Sequence, residues 1–206
     1  KSSIAHADDF IWYAYLEQGN YKQSIKSANR IASRAGSKIT NSLIAQGRYV
    51  LPILTNRTFA KWDTILASQR KNSGSQLING LESFARGTAY VNTDNLQKAS
   101  AEFDKLKEII DRKEIRKQQI FSNTVEDILL IAEKVLEAEI AAASGKIEKA
   151  IALYHQAIIA EDDLNYMEPP EWRFPVRREL GSLLLKIGRA QAVSYTHLRA
   201  HETDYY

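Results

Sequence analysis

The chain has 206 residues, 44% of them hydrophobic and 26% charged, with 28 Lys and Arg against 25 Asp and Glu for a net charge of +3. This composition belongs to folded chains rather than disordered ones and lacks the one-sided basicity of most nucleic-acid binders. The absence of cysteine excludes disulfides, thiolate catalysis and cysteine-ligated metal.

No apolar run approaches the ~20 residues that span a bilayer, so no membrane insertion is expected. The chain begins at Lys1, and KSSIAHADDF lacks the regions of a signal peptide. It reads as a fragment or a processed chain, with the compartment, cytoplasmic or periplasmic, left open. Apolar residues recur at three- and four-residue spacing and β-branched alternation is nowhere sustained, which predicts an all-α fold.

In DDFIWYAYLEQGNYKQSIKSANRIASRAG, Phe10, Tyr13, Ala14 and Leu16 mark one face of a helix. Gly19 and Asn20 break it, and Tyr21, Ile25, Ala28 and Ile31 mark a second, antiparallel helix. TFAKWDTILA offers a weaker unit, with Ala60 at the turn and Trp62 after it. LESFARGTAYVNTDNLQKASAEFDKLKEII places Phe84, Gly87 and Tyr90 on a first helix and Leu96, Ala99, Phe103 and Leu106 on a second. The segment from Val125 repeats the unit, with Ala138 on the first helix, Gly145 at the turn, and Ile147, Ala150, Tyr154 and Ala157 beyond it. RRELGSLLLKIGRAQ supplies Gly181 within a helix and Gly188 at a turn. Self-similarity of this kind signals a repeat architecture.

These positions resemble the tetratricopeptide repeat (TPR). In that family a small residue lies where the two helices cross, and a turn residue precedes alternating small and aromatic positions; here Asp94 stands in for a turn Gly. The resemblance implies a right-handed α-solenoid of about four and a half degenerate hairpins over residues 1–192. The turn markers Gly19, Ala60, Asp94, Gly145 and Gly188 are separated by 41, 34, 51 and 43 residues, so only one interval equals the TPR period. The extra length is assigned to DRKEIRKQQIFSNT and NYMEPPEWRFP. The stretch EDDLNYMEPPEWRFPVRRELGSLLLKIGR further resembles a segment near the C-terminal end of bacterial TPR proteins of undefined role, through Glu168, Pro169, Pro170, Trp172, Pro175 and Arg177. The resemblance covers most of residues 5 to 191.

The end of the chain breaks the pattern. VSYTHLRAHET resembles a string that recurs at the ends of unrelated conceptual translations through read-through into adapter DNA, so residues 193–206 are expected to be non-native. Without them the net charge becomes +4 and the last hairpin lacks its second helix. His197 and His201 have metal-ligand spacing, but they fall in this tail and lack the Glu placement of metalloprotease motifs.

Elsewhere no chemistry-bearing motif stands out. The acidic group Glu161, Asp162, Asp163, Glu168 and Glu171 reads as a solvated turn, and neither a Gly-rich phosphate loop nor a G-x-S-x-G elbow is present. No enzyme activity and no cofactor are expected. The expected function is a non-catalytic scaffold or adaptor that binds a protein or peptide in the groove lined by the first helices. Trp12, Tyr15, Asn79, Arg86, Tyr90, Trp172, Arg177 and Arg178 are the candidate partner-binding residues. Trp172 is foremost, because a Pro-rich loop can hold a Trp at the surface. The alternatives are a regulatory helical-repeat segment of a larger enzyme, and nucleic-acid binding through RKEIRK, whose signature would be a steep salt dependence.

Overall fold

The computed structural model describes residues 2–70 and 73–192. Among them ten α-helices follow in order: α1 (Ser2–Glu17), α2 (Tyr21–Ala35), α3 (Leu43–Tyr49), α4 (Leu51–Thr58), α5 (Trp62–Ala67), α6 (Gln76–Val91), α7 (Leu96–Ile110), α8 (Val125–Ala143), α9 (Ile147–Asp162) and α10 (Val176–Lys186). The fold is mostly helical, as the periodicity predicts.

All five predicted turn residues adopt the left-handed conformation, with φ of 68° at Gly19, 53° at Ala60, 56° at Asp94, 76° at Gly145 and 78° at Gly188. Each turn carries the same pair of backbone bonds. Gly19 N–H donates to Leu16 O and Asn20 N–H to Tyr15 O; the equivalent pair recurs at Ala60 and Lys61, Asp94 and Asn95, Gly145 and Lys146, and Gly188 and Arg189. This is the Schellman arrangement, in which a left-handed residue lets two carbonyls at the helix end find donors. After two of these turns an Asn restarts the helix: Asn20 and Asn95 accept from the amides of Gln23 and Lys98.

The hairpins pack α1 on α2, α4 on α5, α6 on α7 and α8 on α9, and α10 packs on α9. Successive units touch through α2–α4, α4–α6 and α6–α8. The small residue expected where the two helices of a hairpin cross has a different role at α6. A Cβ on Gly87 would lie 2.6 Å from Leu136 Cδ2, and one on Gly80 2.7 Å from Leu129 Cδ2. Both pairs are seven residues apart, so two glycines on α6 admit two leucines of α8, the first helix of the next hairpin. One continuous core runs from Trp12 and Ile31 through Leu77, Phe84 and Leu129 to Leu180 and Leu184.

Three features depart from the sequence reading. On α1 the exposed residues include Phe10 and Ala14, while Asp8, Asp9, Trp12 and Leu16 are buried. Asp8 is held there by Arg30 and Arg34 of α2, and Asp9 by Arg48 of α3 at 3.0 Å from Nε. The chain between α2 and α4 contains an extra helix, α3, which packs on α2 and α6. DRKEIRKQQIFSNT is not a plain loop: it forms a 3-10 turn (Lys113–Lys117) and a short antiparallel pair, β1 (Gln119–Ile120) with β2 (Asn123–Thr124). Ile115 of RKEIRK is fully buried and Arg116 pairs with Glu126. Residues 190–192 are helical; the predictions made for residues 193–206, including His197 and His201, lie outside the described residues.

Candidate functional site

The eight residues singled out from sequence do not converge. Trp172 is buried rather than held at the surface: its ring packs 5.6 Å from Phe84 and 6.0 Å from Phe174, and its Nε1 donates to Phe174 O at 2.8 Å. The Pro-rich loop turns inward because this indole fills the core and satisfies its own N–H locally. Trp12 is likewise fully buried and donates to Thr55 Oγ1 at 3.0 Å. Arg86 is buried and donates to Ser68 O at 2.6 Å, fastening the end of α5 to α6. Asn79 accepts from Ser73 Oγ at 3.4 Å, and Tyr90 lies half-buried beneath the Lys98 ammonium. Tyr15 is half-buried. Arg177 makes two 2.6 Å bonds to Asp162. Arg178, paired with Glu17, alone among the eight lines the large cavity described next.

That cavity has a volume of about 710 Å³ and is bounded by residues of α1, α4, α5, α6, α8, α9 and α10, by the turn residues Ala60, Asn92 and Asp94, and by Arg173 to Pro175. Its floor is polar. Arg57, on the last turn of α4, is buried and donates from Nη1 to Glu179 Oε1 at 2.8 Å. It also donates from Nη2 to Glu139 Oε1 at 2.8 Å and to Glu179 Oε2 at 3.1 Å, and from Nε to Thr88 Oγ1 at 3.1 Å. Thr88 in turn donates to Glu139 Oε2 at 2.6 Å. The guanidinium lies 4.2 Å from the centre of the Phe84 ring, a cation–π contact.

Two of these groups share the same position relative to the turn that follows their helix. Thr88 and Glu139 each stand six residues before the left-handed residue of their turns, Asp94 and Gly145, so α6 and α8 present them at equivalent positions. Glu179 comes from the first turn of α10.

Burial works against the Arg57 charge, but Glu179 and Glu139 outweigh it and hold its pKa above the ordinary value. Burial pushes the Glu139 carboxyl up to about 7 against the opposing charge of Arg57, and Glu179 adds to the rise. The Tyr154 phenol is raised by burial and then by the charges of Glu139 and Glu179. Nearby, burial also raises Glu161 to about 7, although it accepts from Val176 N–H at 2.9 Å at the start of α10. Arg173 lies over the Trp12 ring at 5.2 Å, and burial lowers its pKa.

Sequence reasoning missed Arg57, Glu139 and Glu179 because their separations, 82 and 122 residues from Arg57, carry no local pattern. The one visible signal is a glutamate inside the apolar run AEIAAA. Among the described residues no group of three or more His, Asp or Glu is placed to hold a metal ion, and no helix is long and apolar enough to cross a membrane. No family model, curated protein or solved structure matches the chain.

Proposed function

We propose that this chain is a TPR-like right-handed α-solenoid that acts as a non-catalytic scaffold, binding a protein or peptide segment in the cavity between its first helices. The observation that carries this reading is the cavity's makeup: α4, α6, α8 and α10, the first helix of each of four successive units, all contribute to its lining. The five equivalent turns support the repeat reading. A preformed concave surface binds an extended segment at low ordering cost, because side chains enter a shape that already exists.

The test uses Ser182, an exposed residue of α10 at the cavity wall. A random-peptide display library is panned on the full chain, and selected peptides are titrated against wild type and Ser182→Trp. Peptides that lose about tenfold or more in affinity for a variant with unchanged melting would place binding in the groove. Failure to select any peptide that separates the two proteins would overturn the reading.

A further inference from the structure

From the chemistry of the cavity floor, and resting on the peptide-binding reading above, we infer that the floor is a subsite for one basic side chain, Lys or Arg, of the bound segment. Two carboxylates meet one guanidinium there. The side chains of Glu139 and Glu179 remain 12% and 19% exposed while that of Arg57 is 6% exposed, so the acceptors face the cavity more than the cation does. Four donations, to Thr88, Glu139 and twice to Glu179, engage four of the five N–H groups of Arg57. Each carboxylate oxygen accepts one bond from Arg57 or Thr88 and retains a lone pair, so the floor keeps acceptor capacity.

A second, independent group points the same way. Tyr154 lines the cavity, is 5% exposed, and its hydroxyl has no hydrogen-bond partner among the described residues. A phenol hydroxyl at a cavity wall can accept from a ligand, and here it stands in the field of both carboxylates. The ammonium of Lys or the guanidinium of Arg supplies donors to all three groups. The walls suit the stem: Leu16, Val91, Ala142, Ala143 and Leu183 offer aliphatic surface to the methylene chain of a long basic residue. The other cations of the lining do not fill this role. Arg178 is held by Glu17, and Arg173 is stacked on Trp12 with its Nε donating to Pro170 O at 3.0 Å. Lys186 is exposed at the opposite end of α10 from Glu179.

The probes are N-acetyl-lysine methylamide, which carries a single cation, and its neutral counterpart N-acetylnorleucine methylamide. Each is titrated into the full chain and followed by methyl-resolved NMR. Saturable shifts at the methyls of Val91, Ala142 and Leu183 with the lysine probe are expected, with the norleucine probe about tenfold weaker, the scale set by a charge-assisted hydrogen bond. Glu139→Gln and Glu179→Gln should each weaken the lysine probe by about as much, while Asp163→Asn, at an exposed acid outside the cavity, leaves it unchanged. Equal binding of the two probes by the wild type, or no saturable shift at those methyls, would overturn the inference without recourse to any variant. Groove-dependent peptides selected by panning that carry no Lys or Arg would also overturn it, while leaving the scaffold reading intact.

Discussion

Arg57 and Glu179 lie 122 residues apart and are joined by two hydrogen bonds, of 2.8 and 3.1 Å. With Glu139 they link α4, α8 and α10 through charges that local sequence gives no reason to pair. A buried ion pair adds little over a well-packed apolar replacement, but removing one partner strands the other in a medium that solvates it poorly. Arg57→Met is therefore expected to cost ~3–5 kcal/mol in urea unfolding, and adding Glu139→Gln and Glu179→Gln should recover most of it. A single variant costing under ~1 kcal/mol would match a solvated pair instead.

The two raised carboxyls make stability depend on pH in an uncommon direction. Glu139 and Glu161 stand at about 7 in the folded chain against an ordinary value of 4.5, so between these values the folded state binds more protons than the unfolded state. For these groups stability is greatest below the ordinary value, falls as pH rises towards about 7, and levels off above it. Melting of wild type and Glu161→Gln, whose amide oxygen can still accept from Val176, should diverge as pH rises from about 5 to about 8. The variant gains on the order of 2 kcal/mol relative to wild type; a constant difference across that range would show that Glu161 does not titrate there.

Gly87→Ala places a Cβ 2.6 Å from Leu136 Cδ2, a fully buried side chain that must shift to admit it. The expected cost is ~1–3 kcal/mol from overpacking, net of the helix propensity that Ala brings. Combining it with Leu136→Ala should give less than the sum of the two single effects. Additivity would mean that α6 and α8 do not approach as closely as described.

Trp172→Ala is expected to destabilise by ~3–5 kcal/mol, since it empties the space between Phe84 and Phe174. A thermal melt by circular dichroism checks this. Unchanged melting would return Trp172 to the surface role that its Pro-rich setting suggests.

Ala60 holds φ at 53° where three of the five turns have Gly. A left-handed L-residue costs ~1–2 kcal/mol, and Gly relieves most of it, so Ala60→Gly should stabilise by about 1 kcal/mol in urea unfolding. A loss of stability would indicate that the Ala60 methyl packs usefully at the cavity rim.

Local chemistry made the helices and their turns legible in the sequence. Schellman turns need a left-handed residue, so Gly19, Gly145 and Gly188 could be read from local chemistry, whereas Ala60 and Asp94 are marked only by their place in the resemblance to the TPR pattern. Which face of a helix is buried was less legible. Asp8 and Asp9 are inside because Arg30, Arg34 and Arg48 reach them from other helices, and Trp172 is inside because Phe84 offers a ring from α6. The site itself was decided only by tertiary structure. Arg57, Thr88, Glu139 and Glu179 come from four helices and sit at spacings no helical period connects, and the raised pKa of Glu139 exists only once burial removes water from around its carboxyl.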